Sequence, residues 1–269
     1  MESIHPKQRR LRKWPIMLIA AIGLIFFLLI MADNLFFYQA NAAPNPKQTQ
    51  VEVPVLAYHS VSTKATNEYV VTPEQFRKQM STLHDLGYTS INMQQFDALM
   101  KGKIKNTGKF VLITFDDGYA DNYKQAFPIM QQYGFTATMF VITNWVGSDS
   151  YATWSELSEL QKAGWDIMSH TRTHPDLSLM SSKDQTDEIA GSKQAIESHM
   201  HEKVNAMAYP YGLRSKDTVE IAKKCGYEYA FTFEDGWTSS VQNPLLLKRI
   251  IVSGTEDLPT FRQKLQNRY

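Results

Sequence analysis

The stretch Lys109-Phe110-Val111-Leu112-Ile113-Thr114-Phe115-Asp116-Asp117-Gly118 is mostly apolar for seven residues, then stops on two adjacent carboxylates and a glycine. A run of that length, rich in β-branched and aromatic side chains and closed by turn formers, predicts a strand over Lys109–Phe115. The same grammar repeats on both sides of it. Upstream, Val53–Ala57 is a second apolar run. Thr72-Pro73-Glu74-Gln75 then has capping-box spacing with proline at the first helical position, predicting a helix that stops at Gly87. Downstream, a helix ends near Gly134, Thr136–Val141 reads as a strand, and Thr153-Trp154-Ser155-Glu156 caps a helix ending at Gly164. Trp165–Ser169, Ala206–Tyr209, Tyr229–Phe233 and Lys248–Val252 read as further strands. Between and after them come helices over Ser182–His199, over Ser215–Cys225 and beyond Asp257. Strands alternating with helices imply a parallel sheet, and about seven or eight such units suit a (β/α) barrel better than an open sheet.

The polar residues that interrupt this pattern fall at the carboxyl ends of strands. Tyr58-His59 follows the first strand, Asp116-Asp117-Gly118 the second, and His170 and His174 the strand ending at Ser169. Tyr209-Pro210-Tyr211-Gly212 closes another, while Asp235 and Trp237 follow Tyr229–Phe233. In a parallel barrel those ends converge on one face, so residues far apart in sequence become neighbours where active sites are built. The spacing His170-x-x-x-His174 predicts two imidazoles on one side of a helical turn. A carboxylate from elsewhere would complete three metal ligands and leave a position open for water. Consecutive side chains diverge at a strand end, so one of Asp116 and Asp117 can ligate while the other acts as base. Taken singly, the Asp pair also reads as a turn with an Asx cap and the His pair as structural histidines.

Thr114-Phe115-Asp116-Asp117-Gly118 and His170-Thr171-Arg172-Thr173-His174 together resemble the first two motifs of the polysaccharide deacetylases, the family sharing the NodB homology domain (carbohydrate esterase family 4). The resemblance runs from about Val53 to at least Trp237. It implies a deformed (β/α) barrel with about seven parallel strands and hydrolysis of an acetamide on a sugar polymer. It further implies Asp116 as general base, with Asp117, His170 and His174 binding a divalent metal, usually Zn2+, with Co2+, Ni2+ or Mn2+ as alternatives. Pro210 and Tyr211 would bind substrate, with the Tyr211 backbone N–H as an oxyanion donor. Trp237 would wall the acetyl pocket, or else pack in the core. Asp235 would support a ligand or the base, or else serve as a turn residue. Trp145, in a polar loop, either stacks on a sugar or packs down.

Two positions depart from the family pattern. Ala208 stands where the family usually has an arginine two residues before the proline of a Pro-Tyr pair, which leaves Asp116 without its usual orienting partner. Arg249 or Lys248, on the last strand, is the expected replacement. The family's last motif normally supplies a histidine near the carboxyl end, yet none follows His201. First and last strands are neighbours in a closed barrel, so His59 can occupy that place and serve as the acid. This permuted order resembles the branch that deacetylates poly-β-1,6-N-acetyl-D-glucosamine of biofilm matrix. Peptidoglycan, chitin oligomers and acetylxylan are competing substrates, and a catalytically silent glycan-binding barrel is the alternative of a different class.

The rest of the chain bears on location. Lys7, Arg9, Arg10, Arg12 and Lys13 precede nineteen uncharged residues from Trp14 to Ala32. This predicts a cytoplasmic basic segment (1–13), a transmembrane or signal-anchor helix (14–32), a linker (33–50) and an extracytoplasmic catalytic domain (51–269). Ala40-Asn41-Ala42 offers a small-x-small cleavage pattern, so the protein is either membrane-anchored or secreted after cleavage near Ala42. Residues 51–269 hold 22 basic and 25 acidic side chains, giving a mildly acidic domain with no support for nucleic-acid binding. One cysteine excludes an intrachain disulfide and a thiolate metal cage. A monomer acting on an acetylated glycan is the expected assembly.

Overall fold

A computed structural model of the chain describes residues 50–266, apart from residues 65 and 107. The expected segments 1–13 and 14–32, and the linker up to residue 49, lie outside the described residues. Among those described, no helix is long and apolar enough to cross a membrane.

Seven strands form the frame: β1 (Val55–Tyr58), β2 (Lys109–Phe115), β3 (Thr138–Val141), β4 (Asp166–Ser169), β5 (Ala206–Ala208), β6 (Tyr229–Asp235) and β7 (Leu247–Ile251). Each pairs in parallel with the next, and β7 returns to β1 through Ile250 opposite Leu56, so the sheet closes into a barrel. The strands are short, and β1, β3 and β5 are wholly buried. Strands covered on both faces are continuous apolar runs, which is why they stand out in sequence. Helices α1 (Pro73–Asp85), α2 (Met93–Met100), α3 (Phe127–Gln132), α4 (Trp154–Lys162), α5 (Ser182–Met200), α6 (Lys216–Lys224) and α7 (Leu258–Lys264) lie along the chain between and after the strands. The capping boxes expected at Thr72 and Thr153 are formed, with both reciprocal hydrogen bonds present.

Three local features depart from expectation. The first apolar run breaks at Pro54, whose missing N–H interrupts a ladder. Glu52–Val53 then pairs antiparallel with Thr238–Ser239, and only Val55 onward enters the barrel. Helix α2, opened by an Asn92/Gln95 capping box, follows the edge strand Tyr88–Ser90, which hydrogen-bonds the start of β2 outside the barrel. The chain before α3 enters through a π-helical turn, Asn122–Ala126.

Candidate active site

Asp116 and Arg249 form the centre of the carboxyl-terminal face. Asp116 leaves the end of β2, its backbone N–H donating to Tyr58 O across the β1 seam at 2.9 Å. Arg249 comes from β7, on the other side of β1, and is fully buried. Its Nη1 and Nη2 donate to Asp116 Oδ1 and Oδ2, each at 2.7 Å, a bidentate pair. Two further donors are used as well: Nη1 also reaches Thr114 Oγ1 at 3.2 Å, and Nε donates to Thr232 O at 3.1 Å. Burial alone raises the pKa of Asp116, but the guanidinium overrides it and holds the carboxyl well below the usual range. Arg249 therefore occupies the orienting place that Ala208 leaves empty. Strand alternation turns Lys248 away from this position.

One residue on, the chain turns sharply. Asp117 is left-handed at φ 72°, which sends its carboxylate away from that of Asp116 and toward the histidines. Asp117 Oδ1 lies 3.5 Å from His170 Nε2 and 3.6 Å from His174 Nε2. For donors held about 2.1 Å from a tetrahedral ion, the edge between two donors is about 3.4 Å, so this spacing fits a metal. His170 Nδ1 lies 2.8 Å from Ala208 O, which makes Nδ1 the protonated nitrogen and leaves the Nε2 lone pair facing Asp117. Burial lowers the pKa of His170 to about 3 and also lowers that of His174, so both are neutral. Burial and the charge of Asp116 push Asp117 up to about 7, against a hydrogen bond from Tyr119. A half-buried carboxylate facing two neutral imidazole lone pairs is a donor set that calls for a cation, and the residues fit the divalent ion.

The two histidines do not share a helical turn. They sit on an irregular loop in which Thr171 (φ 66°) and His174 (φ 60°) are both left-handed, and Thr171 Oγ1 accepts from His174 N at 3.1 Å. His174 precedes Pro175, which disfavours the helical region and explains the departure. The imidazoles nevertheless meet, ring centres 4.7 Å apart.

A cavity of about 430 Å³ opens over this floor. His59, at the end of β1, enters it with Nε2 4.0 Å from Asp116 Oδ2, between the rings of Tyr69 and Phe233. Burial lowers the pKa of His59, against the pull of Asp116. Tyr211 is left-handed at φ 56°, 63% exposed, and its ring lies 4.4 Å from that of His174. Pro210 is buried beneath it in the turn Pro210–Gly212 and does not itself line the cavity. On the opposite wall stand Trp145, Tyr151 and Tyr119, the first of these 6.1 Å from the His174 ring. Tyr69, Tyr119, Tyr151 and Phe233 are missed by sequence reasoning. Only Tyr119, directly after Gly118, stands beside a motif.

Two expected residues lie elsewhere. Trp237 does not reach the cavity: it is buried, its Nε1 donates to Lys264 O at 3.0 Å, and it lines a separate pocket with Pro54 and Lys109 at the amino ends of strands. The short strand that follows it pairs back with Glu52–Val53, which carries the ring to the far end of the barrel. Asp235 is exposed and accepts the Ile251 N–H at 3.0 Å, tying β6 to β7 rather than supporting a ligand or the base.

Residues 103–230 match the family model described as polysaccharide deacetylase. The Bacillus subtilis protein YxkH, whose name assigns it to the polysaccharide deacetylases, is 35% identical over 202 residues, covering 75% of this chain and 72% of its own. A poly-β-1,6-N-acetyl-D-glucosamine N-deacetylase of Staphylococcus aureus is 29% identical over 210 residues, covering 73% of this chain and 72% of its own. Among solved structures, the Streptococcus pyogenes deacetylase PplD, in complex with acetate, superposes with a TM-score of 0.78 at 29% identity, over 81% of this chain and 100% of that one.

Proposed function

Because this chain belongs to the polysaccharide deacetylase family, whose members are amide-bond hydrolases acting on N-acetyl groups, we propose that its substrate is an extracellular N-acetylglucosamine polymer, poly-β-1,6-N-acetyl-D-glucosamine foremost. The observation that carries this reading is His59, delivered by the first strand to within 4.0 Å of Asp116. That is the permuted arrangement of the branch acting on this polymer, and the S. aureus relative carries the same substrate in its name. The acetate bound to the S. pyogenes relative is the small product such a reaction releases.

Asp117, His170 and His174 would hold a divalent ion, Zn2+ in the first instance, which when bound would supply Lewis acidity toward the acetyl carbonyl and acidify a water. The remaining work falls to the chain's own groups. Asp116 takes the proton of the attacking water. A depressed pKa weakens it as an acceptor, so its contribution comes from placement: Arg249 grips both oxygens and fixes where the carboxylate points. The Tyr211 N–H donates to the developing oxyanion. His59 Nε2, 4.0 Å from Asp116 Oδ2, passes to the departing amine, which leaves poorly as an anion, the proton that Asp116 takes from the water. The tyrosines and Trp145 around the cavity provide flat apolar faces against which sugar rings pack. The basic 1–13 and apolar 14–32 segments support action outside the membrane, anchored or released near Ala42.

Acetate release is the test, using poly-β-1,6-N-acetyl-D-glucosamine, chitin oligomers, peptidoglycan and acetylxylan with and without a chelator. Chelator-sensitive release from the first is expected, falling by about 10²-fold or more in Asp116→Asn and in His59→Ala. Release from another polymer alone would redirect the substrate. No chelator-sensitive release from any would favour a glycan-binding barrel, and full activity in His59→Ala would remove it as the acid.

A further inference from the structure

The loop carrying His170 and His174 is strained. Thr171 and His174 are both left-handed, a conformation that is unfavourable for a residue with a side chain and persists only where neighbours impose it. One face of α5 imposes it. Glu188 Oε2 accepts the backbone N–H groups of Arg172 and Thr173 at 2.8 and 2.9 Å, while Oε1 accepts the Thr173 hydroxyl at 2.7 Å. Three residues on, Gly191 presents no side chain where the stem of Arg172 lies against the helix. One residue further, Ser192 Oγ meets Ser169 Oγ at 2.8 Å, at the end of β4. Glu188 and Ser192 are both buried and one helical turn apart, so this polar pair faces the barrel and not solvent. A carboxylate receiving two consecutive N–H groups fills an anion nest from within the chain. The two groups it holds belong to the residues between left-handed Thr171 and His174.

We propose that Glu188 is a positioning residue for the metal: by clamping the N–H groups of Arg172 and Thr173 it fixes the path from His170 to His174 and keeps both Nε2 atoms at ligand spacing from Asp117. The proposal rests on the reading of Asp117, His170 and His174 as a metal site. A glutamate that merely stabilised the fold would lower the melting temperature and leave metal affinity untouched.

Co2+ titrated into chelator-stripped protein, followed by the visible absorption of the bound ion, separates the two. Wild type, Glu188→Ala and Glu188→Asp are compared, with Ile189→Val as a control that loosens the same helix through its buried apolar side. Thermal unfolding of the metal-free proteins is recorded in parallel. Glu188→Ala is expected to bind Co2+ about 10- to 100-fold more weakly, as for lost partners of metal ligands. Glu188→Asp, whose carboxylate is drawn back from the loop, is expected to fall between, and Ile189→Val to bind as wild type does. Wild-type affinity in Glu188→Ala overturns the proposal, as does an equal loss in Ile189→Val. Should Glu188→Ala fail to fold, wild-type affinity in Glu188→Asp overturns it. Wild type taking up no Co2+ removes the metal-site reading and the role of Glu188 with it, whereas equal uptake by all variants removes the role of Glu188 alone.

Discussion

Among the described residues, Arg249 has one ion-pair partner, Asp116. Its guanidinium is fully buried, and removing it leaves Asp116 as an uncompensated buried anion, a loss of about 3–5 kcal/mol. Arg249→Met is therefore expected to unfold at markedly lower denaturant concentration and to lose deacetylation. Arg249→Lys would keep the charge without the two-pronged grip and fall between. The pH dependence has a definite sign. Asp116 has a lowered pKa in the folded protein, so the pair's stabilisation is complete above the ordinary carboxylate value of about 3.9 and drains only as pH falls below it. In denaturant melts the wild type should thus keep this contribution from neutral pH down to about pH 4, whereas in Arg249→Met the unpaired Asp116, its pKa raised by burial, takes up a proton as pH falls, so the gap is widest at neutral pH and narrows toward acid. The partnership was only partly legible in sequence. The vacancy at Ala208 called for a cation, and β7 carried two adjacent ones. Choosing Arg249 over Lys248 required the inward phase of the strand, which a run buried on both faces does not reveal.

At the scale of elements, short turns after strands set the site. In the turn Pro210–Gly212, Gly212 is left-handed at φ 69°, and a Cβ there would stand 2.6 Å from Phe233 Cβ and 2.7 Å from its backbone N. Gly212→Ala combines a conformational cost with a collision against backbone, together about 2–4 kcal/mol. The turn is expected to shift and to carry Tyr211 off the cavity rim. Thermal melts should show the lost stability, and kinetics on polymer should show lower kcat/KM. Strands and capping boxes were readable because apolar runs, Pro, Gly and Thr-x-x-Glu carry their own local physics. The histidine loop was not: Pro175 warned against a helix at His174, but the contacts that hold the loop come from Glu188 on a separate helix, which no local pattern announces. The aromatic walls were equally silent: Tyr69, Tyr151 and Phe233 are contributed by three separate segments, and a lone aromatic ring looks the same in sequence whether it packs or lines a cavity.

For the whole molecule, the two ends of the barrel divide the labour. The carboxylates and imidazoles of the candidate site gather at the carboxyl ends of the strands, whereas Trp237 packs at the other end and hydrogen-bonds α7. Trp237→Phe should cost about 1 kcal/mol for that bond, lowering the melting temperature by about 2–4 °C. kcat/KM on acetylated polymer should stay within about twofold of wild type, and a collapse in turnover without a change in melting would return the indole to the acetyl pocket. Sequence could place Trp237 after a strand but not say that the chain then doubles back to pair with Glu52–Val53, a contact between segments nearly 190 residues apart.

The seam where β7 meets β1 has a consequence for the order in which the protein comes into being. A polypeptide is made amino end first, so Asp116, Asp117 and both histidines exist while the last strand is still unmade. Until β7 slots in beside β1, Asp116 has no counter-charge and the ring of strands no closure. The Asp116 carboxylate is thus completed by a residue made 133 positions after it, and a half-made molecule carries the conspicuous motifs without the counter-charge that holds this carboxylate in place.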